Sequence, residues 1–263
     1  MPSIFAYQSA EVDWCEENFV HSPYIAEYYN TFSNLFFFIM APLIVWMSPQ
    51  YMNYSPVPVQ GLAILQVFIG VFSIYFHMTL SYAGQLLDEI AILWTMGWCY
   101  AFWFPMRHFP GFIKNREQFM SLVAILTVLS SLMTFLKPAL NAYALNCIAF
   151  HIVYSTCVEV RKCNNPRVHR LFATMVAWWI ISISCWLTDK FLCGVCQKVS
   201  FSYFHSFWHV FISVALFYCA NVCMYFDVAF ELPSAEPDVE YWPSNTSFIS
   251  MPYISLPNLH KQC

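Results

Sequence analysis

The sequence has few charged residues. Only 10% of its 263 residues are Asp, Glu, Lys or Arg, whereas 59% are hydrophobic, and a soluble domain of this length usually carries about a quarter charged residues. This deficit argues against a soluble globular protein and indicates a lipid environment. The net charge of −4 is small, and nothing in the composition indicates a nucleic-acid partner.

The first 30 residues also lack Lys, Arg and the apolar stretch of a cleavable signal peptide. We therefore expect the first membrane helix to direct insertion itself. The segment is acidic instead, with carboxylates at Glu11, Asp13, Glu16, Glu17 and Glu27.

Seven apolar stretches are long enough to cross a bilayer, which takes roughly 17–25 mostly apolar residues. They cover residues 31–48, 60–80, 86–104, 119–136, 141–160, 171–189 and 205–226. The sequence therefore predicts an all-α integral membrane protein with seven transmembrane helices. It divides into an N-terminal segment (1–30), a helical domain (31–226) and a tail (227–263).

Basic residues predict the orientation, because cytosolic loops carry an excess of Lys and Arg. Eight of the eleven basic residues fall on the side opposite the N-terminus. These are Arg107, Lys114, Arg116, Arg161, Lys162, Arg167, Arg170 and Lys261, against Lys137, Lys190 and Lys198 on the other side. The N-terminus is therefore expected to be luminal and the C-terminus cytosolic.

The expected cytosolic side carries two features of its own. It contains the sequons at Asn53 and Asn245, so neither should bear a glycan. The tail that begins at Asp227 is rich in Pro and polar residues, and we expect it to be a cytosolic segment without a core of its own.

Ionisable residues inside apolar helices are costly, so each of them suggests a function. Ser73 and His77 lie four residues apart near the end of the second helix, and His205 and His209 have the same spacing at the start of the seventh. Residues four apart share one helix face. Asp88 opens the third helix. In the expected topology all these groups lie at one depth, near the luminal face.

Three imidazoles with one open position are typical of a catalytic zinc site rather than a closed structural one. Zinc lowers the pKa of a bound water to about 7. Asp88 is then a candidate general base, and Ser73 a candidate hydrogen-bond donor. A single histidine at a membrane boundary is more often an interfacial residue, but the convergence from three helices favours metal binding.

The acidic N-terminal segment offers hard oxygen ligands. Asp13, Glu16, Asn18 and Glu27 carry the groups that calcium prefers, yet their spacing is not that of an EF-hand loop. The spacing alone leaves a solvated acidic terminus open.

Three cysteines, Cys15, Cys193 and Cys196, fall on the expected luminal side, where a disulfide can persist. The pair Cys193 and Cys196 could indicate zinc or redox chemistry. A pairing of this loop with the N-terminus is favoured over that reading.

Five stretches spread along nearly the whole chain resemble the alkaline ceramidases. They are EVDWCE at 11–16, AEYYNTFSN at 26–34, YFHMTLS at 75–81, GQLLDEI at 84–90 and HSFWH at 205–209. The family belongs to a wider group of seven-helix metal hydrolases that includes the adiponectin and progestin receptors.

The resemblance implies the site residues. Zinc would be held by His77, His205 and His209, with Ser73 and Asp88 around its bound water. Calcium would be held by Asp13, Glu16, Asn18, Glu27 and the backbone carbonyl of Trp14. A disulfide would join Cys15 to Cys193.

The resemblance also implies the reaction, which is calcium-dependent hydrolysis of the ceramide amide bond to sphingosine and a fatty acid, with an alkaline optimum. The substrate would come from the bilayer of the endoplasmic reticulum, with the Golgi as second choice, and no obligate protein partner is expected. A receptor of the adiponectin or progestin type with structural zinc is the alternative. A zinc transporter is disfavoured, because its ligands would be spread through the bilayer depth.

Overall fold

Helices form most of the chain in the computed structural model, which describes residues 3–136, 138–247 and 250–259. The helices are α1 (Tyr28–Ser33), α2 (Leu35–Met47), α3 (Pro49–Tyr54), α4 (Pro56–Thr79), α5 (Tyr82–Trp103), α6 (Arg116–Leu136), α7 (Pro138–Val160), α8 (Pro166–Lys198) and α9 (Phe204–Glu231). Single 3₁₀ turns cover Met106–His108 and Pro233–Ala235, and two strands follow, β1 (Asp238–Trp242) and β2 (Met251–Ser255).

Five helices are long and apolar enough to cross a membrane: Tyr28–Met47, Pro56–Thr79, Arg116–Phe135, Pro166–Lys198 and Phe204–Glu231. The apolar part of α7, Ala144–Val160, is shorter. Helix α5 has 22 residues, but Asp88 and Glu89 lower its hydropathy. The described residues thus establish a multi-pass, all-helical architecture with five candidate spans, and the seven crossings stay a prediction. Two of the basic residues used to predict the orientation, Lys137 and Lys261, lie outside the described residues.

The connection between α4 and α5 is short. Helix α4 ends at Thr79. The next residue, Leu80, caps the helix and adopts a left-handed conformation with φ of 48°. The hydroxyl of Ser81 then accepts a hydrogen bond from the Gly84 amide at 3.1 Å and caps α5. The end of α4 and the start of α5 therefore meet at one end of the bundle.

Two helices are longer than the sequence predicted. Helix α8 has 33 residues, with a break in helical geometry at Leu192 (φ −114°, ψ 18°), whereas the sequence predicted residues 171–189. Helix α9 runs on to Glu231 instead of ending at residue 226. Both extensions contain charged or polar residues, which end an apolar stretch without ending a helix.

The tail contains a hairpin that the sequence did not predict. Strands β1 and β2 pair in antiparallel register, with Asp238 opposite Ser255. Their inward side chains, including Val239 and Ile254, belong to the main hydrophobic core together with residues of α2, α4, α8 and α9. The hairpin thus has no separate core among the described residues, but its apolar side chains share the core of the bundle.

Arg167 fixes this hairpin to the start of α8. Its guanidinium forms ion pairs with Asp238 and Glu240, each at 2.8 Å. The charged side chains of β1 thus point to a partner on the bundle while the apolar ones enter the core.

The N-terminal segment lies across the opposite end of the bundle, where α4 ends. Backbone amides of Gln8 and Ala10 donate to the carbonyls of Thr79 and Leu80 at 3.0 and 2.9 Å. The amide of Glu27 donates to the carbonyl of His77 at 3.0 Å. The acidic segment is thereby held against the helix end that carries His77.

Candidate metal centre

Three histidines meet at the end of the bundle that the N-terminal segment covers. His77 comes from the last turns of α4, and His205 and His209 come from the first turns of α9. Their candidate ligand atoms all lie within 4.8 Å of one another, and none of the three residues is more than 2% exposed. The predicted convergence of the three imidazoles is confirmed, and the group could hold a metal ion.

One nitrogen of each ring is left without a partner. Nε2 of His77, Nδ1 of His205 and Nε2 of His209 are buried and make no hydrogen bond. A buried polar atom without a partner costs roughly 1–3 kcal/mol, so three of them in one place need an explanation. Zinc fits these residues, because neutral imidazole nitrogens are among its preferred ligands.

Two of the three imidazoles are oriented by hydrogen bonds through their other nitrogen. Nδ1 of His77 contacts the Glu27 carboxylate in a buried pair. Nδ1 of His209 lies 2.7 Å from the hydroxyl of Ser33. Partners of this kind fix the tautomer and the ring orientation of metal-binding histidines.

Asp88 and Ser73 are neighbours. Ser73 is buried on the face of α4 that carries His77, one turn earlier, and its side chain interacts with that of Asp88. The adjacent Glu89 has other partners, since it accepts from Gln85 at 3.0 Å and from Asn141 at 3.3 Å. Of the two carboxylates, Asp88 is therefore the one associated with the histidine face.

The oxygen ligands predicted for calcium lie close to this centre. Glu27 is fully buried and accepts from the Trp14 amide at 3.0 Å. The Asn18 amide nitrogen donates to both oxygens of Asp13 at 3.2 Å, and the Asp13 side chain in turn interacts with Glu27. The Asn18 side-chain oxygen is buried and has no partner. These four residues form one cluster.

Glu16 lies at the edge of that cluster. Its two oxygens accept from the amides of Tyr29 and Asn30 at 2.7 and 2.8 Å, and burial raises the pKa of this carboxyl above its usual range. Within the described residues, Asp13, Glu16 and Glu27 are not drawn together as compactly as the three histidines.

Asp189 is a site residue that the sequence reasoning missed. It is 2% exposed, and its carboxylate accepts from the Cys15 amide at 2.9 Å and from the His205 amide at 3.2 Å. It therefore joins the N-terminal segment to the start of α9. Its signal was available, because it is an ionisable residue near the end of an apolar stretch.

The disulfide between Cys15 and Cys193 is present, with Cα atoms 5.2 Å apart. Cys196 is free and buried, so the Cys193 and Cys196 pair is not a zinc or redox motif. Trp14, next to the disulfide, stacks on the ring of His205 with 3.7 Å between centroids. The covalent link thus holds the N-terminal segment against a candidate metal ligand.

Comparisons with known proteins relate this chain to one family. The profile of the Ceramidase family matches residues 6–255. The chain is 46% identical to human (Homo sapiens) alkaline ceramidase 1 over 264 residues, which covers 100% of both chains. It is 45% identical to the mouse (Mus musculus) alkaline ceramidase 1, covering 97% of that protein, and 34% identical to the Drosophila melanogaster alkaline ceramidase, covering 89% of it.

Proposed function

Because this chain belongs to the ceramidase family, we propose that it is a zinc-dependent amidohydrolase that cleaves the amide bond of ceramide into sphingosine and a free fatty acid. The observation that carries the proposal is the meeting of three buried imidazoles, each with an unpartnered nitrogen, beside Ser73 and Asp88 in a membrane protein. The substrate is a membrane lipid, so it would reach the site from the bilayer.

His77, His205 and His209 would hold the zinc. When bound at such a site, zinc polarises a carbonyl and acidifies water. Glu27 and Ser33 then keep two of the imidazoles in place through their Nδ1 atoms. Three protein ligands leave a fourth position open, as catalytic zinc sites require.

Asp88 would move the proton. The oxygen of a water molecule bonds to the amide carbon, and the Asp88 carboxylate takes the proton that this water loses. The carbon–nitrogen bond then breaks, and Asp88 returns the proton to the leaving nitrogen. The Ser73 hydroxyl interacts with Asp88, and we assign it the orientation of this carboxylate and donation to the developing oxyanion.

Calcium would bind in the N-terminal cluster, through Asp13, Glu16, Asn18, Glu27 and the Trp14 carbonyl. Supporting features are the buried Glu27 carboxylate, its interaction with Asp13 and the unpartnered oxygen of Asn18. Oxygen atoms of carboxylates, amides and the backbone are the ligands that calcium takes.

Glu27→Gln is expected to raise the calcium concentration for half-maximal activity by roughly tenfold, equivalent to about 1.4 kcal/mol, because a charged ligand becomes a neutral one. A calcium titration of turnover at saturating zinc measures the shift. Glu17→Gln is the matched control, since Glu17 is exposed in the same segment and outside the proposed ligand set. An unaltered titration curve for Glu27→Gln would remove this residue from the calcium site.

We further propose seven membrane crossings, a luminal N-terminus and a cytosolic tail, with the endoplasmic reticulum membrane as the location and the Golgi as second choice. The excess of basic residues on the tail side supports this orientation. The Cys15–Cys193 disulfide also supports it, because disulfides persist in the lumen and are rare in the cytosol.

Glycosylation tests the orientation. The native sequons at Asn53 and Asn245 should carry no glycan. Tyr7→Asn creates a sequon with Gln8 and Ser9 at a position that is 50% exposed, and this variant should gain one glycan, seen as a mobility shift that a glycosidase reverses. Glycan on Asn53 or Asn245 in the native chain would contradict the proposed orientation.

The activity itself is tested with the detergent-purified chain, a fluorescent-acyl ceramide, calcium and alkaline pH. Fatty-acid release is expected, and it should stop when a chelator removes the metal and return when zinc is restored. No release from folded, zinc-loaded protein would favour the receptor alternative, since a receptor with structural zinc need not release sphingosine.

A further inference from the structure

Helix α1 contacts the turn of α9 that carries two of the histidines. The Ser33 hydroxyl lies 2.7 Å from Nδ1 of His209. The Ser206 hydroxyl donates to the Asn30 side-chain oxygen at 2.6 Å. The rings of Tyr29 and Tyr203 meet with 4.7 Å between centroids. One side of α1 thus braces the start of α9 at three points.

The hydrogen bonds of Ser33 determine which nitrogen of His209 carries the proton. The Ser33 hydroxyl is 3.0 Å from the Asn30 carbonyl oxygen, which can only accept, so the single hydroxyl proton is donated there. The Ser33 oxygen then presents a lone pair to Nδ1 of His209 at 2.7 Å, which favours the tautomer with the proton on Nδ1. A neutral imidazole has one N–H, so Nε2 of His209 keeps its lone pair, and this is the buried atom without a partner.

We infer that Ser33 is a positioning residue that fixes the tautomer and ring orientation of His209 so that its Nε2 can bind the metal. The inference rests on the proposed metal site but not on ceramide as substrate. It parallels the contact of Glu27 with His77, with a neutral hydroxyl in the place of a carboxylate.

Removal of the Ser33 hydroxyl leaves His209 free to place its proton on either nitrogen and its ring free to turn. Loss of such a hydrogen-bonding partner typically lowers metal affinity or activity by about 10–100-fold. Ser33 is only partly buried, so a change from serine to alanine leaves the helix packing largely as it is.

The test compares Ser33→Ala and Ser33→Thr with the native full-length protein. Zinc affinity is measured by competition with a chromophoric chelator, and the visible absorption of the Co²⁺-loaded protein reports the ligand geometry. Ser33→Ala should lose about 10–100-fold in zinc affinity and change the Co²⁺ spectrum. Ser33→Thr keeps the hydroxyl and should retain both.

Ser182→Ala is the matched control. Ser182 is buried and donates to a helical carbonyl, that of Trp179, at 2.9 Å, so this variant removes an equivalent hydroxyl without touching a histidine. It should leave zinc affinity and the Co²⁺ spectrum unchanged.

The inference would be overturned by native affinity and spectrum in Ser33→Ala, or by an equal loss in Ser33→Ala and Ser33→Thr. A native protein that binds no metal would overturn it as well. Ceramide turnover is measured separately, because normal metal binding without turnover would refute the proposed reaction and leave the role of Ser33 intact.

Discussion

His209→Ala protein should contain no tightly bound zinc and should hydrolyse ceramide roughly a thousandfold more slowly, a rate difference equivalent to about 4 kcal/mol. The variant removes one of three buried ligand nitrogens that lie within 4.8 Å of one another. Two imidazoles cannot complete the ligand set of a catalytic zinc site. Elemental analysis of metal per chain and initial rates measure the two effects.

His151→Ala is the control for a general effect of losing a histidine. His151 lies on α7, away from the triad, where its ring contacts the Tyr100 hydroxyl and stacks on Tyr100. The control should keep its zinc. If His209→Ala retains the native zinc content, His209 is not a ligand.

The second large effect is expected from Asp88→Asn, which should bind zinc normally and turn over ceramide about 10²–10⁴-fold more slowly, the range for loss of a general acid–base group. The amide has nearly the same shape as the carboxylate and can still hydrogen-bond to Ser73, but it cannot take a proton from water. Zinc content and single-turnover rates separate chemistry from metal binding.

Glu89→Gln is the control for this prediction, because Glu89 is the adjacent carboxylate on α5 and is held by Gln85 and Asn141. We expect it to retain most of its activity. A fully active Asp88→Asn enzyme would exclude Asp88 as the proton carrier.

The histidine cluster could be predicted from the sequence because its signals are local. Spacing of four residues places Ser73 with His77 and His205 with His209 on single helix faces. The alternation of helix direction then brings the end of α4 and the starts of α5 and α9 to one end of the bundle. The pairing of Cys15 with Cys193 followed from the family resemblance rather than from spacing.

The orienting residues could not be predicted in the same way. Ser33 acts through a hydrogen bond across 176 residues of sequence, and a serine at the start of an apolar helix has no distinctive signal of its own. Asp189 could have been recognised as an ionisable residue in an apolar helix. It was missed because the predicted helix ended at that position.

The structure of the tail and the number of membrane spans were harder to predict from the sequence, for a different reason. Five-residue strands such as β1 and β2 give too short an alternation to stand out beside prolines and polar residues. In α5, the adjacent carboxylates Asp88 and Glu89 lower the hydropathy of the helix. These charged side chains weaken the hydropathy signal that identifies a span.

The hairpin has a consequence for the biosynthesis of the protein. Ile254 and Leu256, which complete the same core as Ile44 and Tyr51, are synthesised after all nine helices of the described residues. The helices can insert one after another, but the core at the tail end of the bundle closes only after β2 has been synthesised. A premature stop codon just before β2 would spare every candidate metal ligand and still leave this core open, so such a chain would be recognised by quality control as unfinished.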